Sequence, residues 1–149
     1  MIVREHMEVE LVPVSPTDSC ERALAIMRAG SLDALPVLDH ERLVGLVTEL
    51  DIRRRAPLSA RRGDDPDALL PHLKVSGVMT LAPAAVAPSA PLVEAAALML
   101  ERGLFALPVL ERERLIGIVT VRGILSAFVD LAAGTPATRV APLRAGATR

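Results

Sequence analysis

Two short apolar runs separated by four polar residues occur twice in the chain. Leu35-Pro36-Val37-Leu38 precedes Leu43-Val44-Gly45-Leu46-Val47, and Leu107-Pro108-Val109-Leu110 precedes Leu115-Ile116-Gly117-Ile118-Val119. Asp39 to Arg42 and Glu111 to Arg114 join the runs. Apolar stretches of this length, broken once by charge, predict a β-hairpin with both strands largely buried. Thr48 and Thr120 follow the second strands and are placed to cap a helix. The copies are offset by 72 residues, and the same offset aligns Met7 with Met79, Val14 with Val86, Pro16 with Pro88, Met27 with Met99 and Ile52 with Ile124. The chain reads as an internal duplication.

Ahead of each hairpin the spacing predicts a helix. Cys20, Ala23, Leu24 and Met27 in the first unit, and Leu92, Ala95, Ala96 and Met99 in the second, have the period of one buried stripe. Asp18 with Glu21 reads as a capping box for the first helix, and Pro91 as the first helical residue of the second. Gly30 and Gly103 mark the helix ends. A short strand near Val12 to Val14, or Ala84 to Val86, opens each unit. A further helix follows each hairpin, from Glu49 and from Val121, the latter with Val121, Ile124, Leu125 and Phe128 on one face. Each unit is therefore strand–helix–strand–strand–helix, an α+β arrangement, over residues 1–56 and 75–132. Residues 57–74, with Pro57, Gly63, Asp64-Asp65, Pro66 and Pro71, read as an irregular linker holding one helical turn within Asp67 to Leu73. Residues 133–149, poor in large apolar side chains, read as a flexible tail. A unit of about 50 residues buries too little surface to be secure alone, so the two are expected to pack as a pseudo-two-fold pair through their sheets.

Composition narrows the function. With 51% of 149 residues apolar, a core forms without metal or disulfide. A net charge of −1 gives no general pull toward nucleic acid or an anionic membrane. Cys20 is the single cysteine, which excludes an internal disulfide and fits a reducing, cytoplasmic setting. No apolar run is long enough to span a bilayer, and the charged start, Met1-Ile-Val-Arg-Glu-His, is unlike a signal peptide. Two Phe and no Trp or Tyr leave no stacking platform for single-stranded nucleic acid. The basic clusters Arg53-Arg54-Arg55 and Arg61-Arg62 read as solvated faces, and Asp64, Asp65 and Asp67, which follow at once, argue against a nucleic-acid role. His6, His40 and His72 lack metal-ligand spacing. There is no nucleophile–base pair, HExxH, P-loop or GxGxxG, so catalysis is not expected.

Met7 and Met79, the helices ending in Met27 and Met99, the doubled Leu-Pro-Val-Leu and the stretch Gly-Leu-Val-Thr-Glu-Leu-Asp at 45–51 resemble the cystathionine-β-synthase-type (CBS) domain, paired in tandem as a Bateman module. The resemblance covers residues 2 to about 132. It implies two β-α-β-β-α CBS repeats and a regulatory or sensing role. It further implies that adenosine-containing ligands such as AMP, ATP, S-adenosylmethionine or NAD bind in clefts between the repeats, with no cofactor required. Modules of this kind commonly pair into a homodimeric disc through their helices. In such a cleft, the Thr and Asp after the last strand of one repeat face the opening strand of the other and the residues before its Leu-Pro-Val.

On that pattern Thr48 and Asp51 form the ligand pair, with Val47 and Arg54 beside them and Ala84, Leu104, Phe105 and Ala106 across the cleft. The Asp51 carboxylate can accept hydrogen bonds from both ribose hydroxyls, and the Thr48 hydroxyl with nearby amides suits an anion. Thr-x-x-Asp is also a capping box, a feature that stabilises by about 0.5–2 kcal/mol, and the two roles coexist. Arg54, one turn past Asp51, could meet a phosphate as a bidentate donor. Phe105 either stacks on or packs beside a base, or it simply fills the empty cleft or an interface. The basic residues with which family members hold several phosphates are absent at Phe105 and Ala106, which argues against tight ATP binding. The second cleft, built from Thr120, Gly123, Leu32, Asp33 and Ala34, is degenerate: Gly123 cannot hold a ribose, and Asp33 repels phosphate. At most one strong adenosine site is expected. The function expected is a stand-alone regulatory module whose ligand shifts the orientation of the repeats. The alternative is a ligand-free homodimer or a scaffold for an effector protein, with neither nucleic acid nor membrane as partner.

Overall fold

Cys20, Ala23, Leu24 and Met27 are all buried on one side of helix α1 (Cys20–Gly30) in the computed structural model, which describes residues 1–55 and 70–133. The linker prolines 57 and 66, Arg61-Arg62 and the acidic residues 64, 65 and 67 lie outside the described residues, as does the tail from residue 134. The cap of α1 is Ser19 rather than Asp18: Ser19 Oγ accepts from the Arg22 amide at 3.1 Å. Asp18 instead closes the preceding turn, its Oδ2 accepting from the Ser15 amide at 2.8 Å. The extended backbone that a cap needs falls one residue later than the acidic side chain. The helix ends with Ser31 in the left-handed conformation (φ 51°) and the Leu32 amide bonded to the Met27 carbonyl.

Strands β1 (Ala34–Asp39) and β2 (Arg42–Thr48) then form an antiparallel hairpin, and helix α2 (Glu49–Arg55) leaves from Thr48. The second unit repeats the plan after a two-residue strand, β3 (Thr80–Leu81): helix α3 (Leu92–Arg102), strands β4 (Ala106–Glu111) and β5 (Arg114–Thr120), and helix α4 (Val121–Ala132). Both hairpins turn through two residues at positive φ, His40-Glu41 and Arg112-Glu113, the geometry whose twist matches that of the flanking strands. Both carry one extra residue in the second strand, with Val37 opposite Gly45 but Leu38 opposite Leu43, and Val109 opposite Gly117 but Leu110 opposite Leu115.

The opening strand of each unit is present as a single parallel bridge, Val14 to Val37 and Val86 to Val109. Pro13 and Pro16 flank the first, and Pro83 and Pro88 the second; a residue without an N–H cannot extend a ladder.

The stretch that begins each unit in sequence packs on the other unit. Glu8 pairs with Ile118 of β5, with bonds of 2.8 and 3.0 Å in the two directions, while Thr80 and Leu81 pair with Leu46 and Gly45 of β2. Val3 is fully buried in the second unit's core, and Leu70, Val75 and Val78 are buried in the first's. Gly45 and Gly117 permit the crossing: a Cβ on either would stand 2.9 Å from the carbonyl oxygen of Thr80 or Glu8. Between the two sheets a small cluster of Ala34, Leu46, Ala106 and Ile118 closes the pair about its pseudo-two-fold axis.

Candidate functional site

Side chains alternate along β2, so Leu46 and Thr48 share the face toward the second unit while Val47 turns the other way and is fully buried in the first core. Thr48 begins α2 with a complete capping box. Its Oγ1 accepts from the Asp51 amide at 3.2 Å, and Asp51 Oδ2 accepts from the Thr48 amide at 2.8 Å and from its hydroxyl at 2.9 Å. Asp51 Oδ1 takes no hydrogen bond among the described residues. Thr48, Asp51 and Arg54 line one side of a cleft of about 60 Å³, and Leu104, Phe105 and Ala106 of the second unit line the other.

Six of the eight sequence-derived residues thus meet in one cleft. Val47 does not, because of the alternation just described. Nor does Ala84, which packs against the second core. Thr80 and Pro83 hold that wall instead, since β3 runs beside Leu46 before the chain reaches Ala84. Sequence reasoning missed them because their place follows from the crossing of the leading segments, for which the paired methionines were the only local signal. The Arg54 guanidinium lies 5.9 Å from the centroid of the Phe105 ring, a cation–π contact across the cleft.

The pseudo-equivalent cleft is organised differently. Thr120 Oγ1 accepts from the Gly123 amide at 3.1 Å, and a Cβ at Gly123 would stand 2.9 Å from the carbonyl oxygen of His6. Position 123 is therefore crossed by backbone rather than merely missing a carboxylate. Arg122, which sequence reasoning overlooked, pairs with Asp33 Oδ1 at 2.9 Å and joins the units; Asp33 Oδ2 is buried and has no hydrogen-bond partner among the described residues. Burial raises the pKa of the nearby Glu8 carboxyl, and the charge of Asp33 adds to the rise, against a smaller opposing effect of Arg122. Ala34 is buried between the sheets. Leu32, Asp33, Thr120 and Arg122 line a cavity of about 360 Å³ that also reaches Thr48 and Phe105.

A third cavity, an apolar groove of about 380 Å³, lies between α3 and α4 and is lined by Met99, Leu100, Leu104, Phe105, Val121, Ile124 and Leu125. On α4, Val121, Ile124 and Ala127 face the core, while Leu125 and Phe128, expected on the same stripe, are exposed. Cys20 is buried and its thiol pKa is pushed up by that burial. Among the described residues, no group of three or more His, Cys, Asp or Glu could hold a metal ion, and no helix is long and apolar enough to cross a membrane.

Known proteins share this arrangement. The family model for the CBS domain matches residues 3–57 and again 75–130. A CBS domain-containing protein of Dictyostelium discoideum is 31% identical over 140 residues, which cover 91% of this chain and 97% of that one. The structure of a protein with CBS domains from Burkholderia ambifaria superposes with a TM-score of 0.77 at 25% identity, over 94% of this chain and 100% of that one. That of the Arabidopsis thaliana CBS-pair protein CBSX2, solved in complex with AMP, superposes with a TM-score of 0.67 at 27% identity, over 87% and 97%. Two matches of the domain in one sequence, and whole-length likeness to proteins built the same way, establish that the chain belongs to the CBS domain family and carries two such domains in tandem.

Proposed function

We propose that the chain is a regulatory module that senses an adenosine-containing ligand in the cleft between Thr48–Asp51 and Leu104–Ala106. The observation that carries this reading is the placement of Asp51. Its Oδ2 is fixed by the capping box, its Oδ1 accepts nothing from the described residues, and it lines the cleft opposite apolar residues of the other unit. A carboxylate held so can accept from a ribose diol while the apolar wall takes the base. The AMP complex of the structural relative CBSX2 supports AMP as the first ligand to try, with ATP, S-adenosylmethionine and NADH beside it. The test is thermal unfolding with each compound. A ligand at 100 times its Kd stabilises by about 2.7 kcal/mol. Asp51→Ala should abolish the shift, whereas Asp33→Ala should leave it intact; no shift with any of the four would remove the sensing reading.

The second reading, self-association or docking of an effector protein through the helices, is favoured by a difference between the two repeats. Val93, Leu100 and Leu125 are exposed on α3 and α4, and 72 residues earlier the same positions hold Glu21, Arg28 and Arg53. At these positions the apolar face belongs to the second repeat and not to the first, so two copies would meet there like to like.

A further inference from the structure

We propose that Phe105 is a gate with two seats, the cleft and the α3–α4 groove, and that a nucleotide entering the cleft drives the ring from the first to the second. For its ligand the proposal rests on the sensing reading; the gate itself rests on separate geometry. At about 60 Å³ the cleft is several times smaller than the roughly 300 Å³ at which ligand sites begin, and Phe105 also borders the cavity of about 360 Å³ beside it, so displacing the ring enlarges the space for an adenosine. Most of the wall is tied. Leu46 and Thr80 are paired in the sheet, and Thr48 and Asp51 hold each other. The Phe105 backbone is tied as well, its carbonyl accepting from the Val121 amide at 3.0 Å, but the residue is 46% exposed and its ring meets Arg54 in a cation–π contact, which fixes a side chain less firmly than a sheet pair or a capping box. Side-chain rotation is the cheapest way to open the cleft.

The ring borders both spaces, and the groove of about 380 Å³ next to it has room for a phenyl group among Met99, Leu100, Leu104, Ile124 and Leu125. Among the described residues, several of the matching positions of the first repeat are charged. Where the groove is bordered by Leu100, Val121 and Leu125, the first repeat has Arg28, Glu49 and Arg53, in which Glu49 pairs with both arginines at 3.5 Å. At the position of Phe105 it has Asp33, held by Arg122. A movable ring and a receptacle for it therefore occur together in the second repeat and not at the matching positions of the first. When the ring leaves, Arg54 loses its cation–π partner and becomes available to an anionic group on the ligand.

The chain has two Phe and no other aromatic residue, so 4-fluorophenylalanine labelling gives two fluorine signals, which Phe128→Leu assigns. In the ligand-free protein, fluorine saturation transfer should report two exchanging environments for Phe105, and AMP should shift the population to one of them. Phe105→Ala should tighten AMP binding by about tenfold by removing the closed state. Ala96→Leu, which narrows the groove without reaching the cleft, should weaken AMP binding by about tenfold in the parent and not at all in the Phe105→Ala background. A single Phe105 environment unmoved by AMP, loss of binding in Phe105→Ala, or an Ala96→Leu effect equal in both backgrounds would overturn the gate. If AMP, ATP, S-adenosylmethionine and NADH bind no variant while two environments persist in the free protein, the gate stands and the sensing reading fails.

Discussion

A carboxylate added at position 123 has no space to enter, because the His6 carbonyl oxygen would lie 2.9 Å from its Cβ. Gly123→Asp therefore does not restore a second site in the image of Asp51. It should destabilise the protein by about 1–3 kcal/mol, the usual cost of overfilling a packed position, as read from urea unfolding. Nucleotide stoichiometry should remain at one or below; a second equivalent bound by Gly123→Asp would show that the leading segment yields more easily than its sheet bonds imply. Single residues at this scale were only half legible in the sequence. The absence of a carboxylate at Gly123 could be read by comparing the two copies. The backbone that crosses it could not, because residues 6 and 123 are far apart in the chain. Arg122 escaped notice for a related reason: its counterpart Leu50 is apolar, so alignment of the copies gave no hint of an ion pair with Asp33.

Among the elements, α4 departs most from its sequence pattern. It is apolar almost all round, so two overlapping stripes satisfy a helical period, and the one that meets the core is Val121, Ile124 and Ala127. Leu125, Phe128, Val129 and Leu131 are left outside. Leu125→Arg and Phe128→Glu should each change stability by less than about 0.5 kcal/mol, as exposed substitutions do, yet each should abolish self-association measured by light scattering on a size-exclusion column. A parent protein that is monomeric at all concentrations would refute the self-association reading without touching the cleft. The helix α1, with one clean stripe, and the two hairpins, with short runs ended by charge, were legible because each has a single way to bury its apolar residues. The opening strands were less so, since prolines on either side of Val14 and Val86 restrict each to one bridge.

The molecule as a whole is held by exchange. Met1 to Glu8 is stitched to the second unit through Val3 to Ala90, Arg4 to Pro88, Leu92 to Met1 and the pair with Ile118, and Arg4 adds an ion pair to Glu111. Removing residues 1–6 should leave the first unit intact and loosen the second. Hydrogen exchange should accelerate in β5 and at the start of α3 while α1 and β1 keep their protection. Loss of Val3 alone forfeits about 2 kcal/mol of burial in that half. Equal acceleration in both units would mean that the two halves unfold as one cooperative body.

The crossing of the leading segments also governs what a severed half would do. Residues 70–133 by themselves would carry a key cut for a lock they lack, and a lock whose key was left behind on the missing half. Two such fragments have a remedy that one does not: each can lend its free arm to the other and rebuild, from identical pieces, the outline of the intact chain.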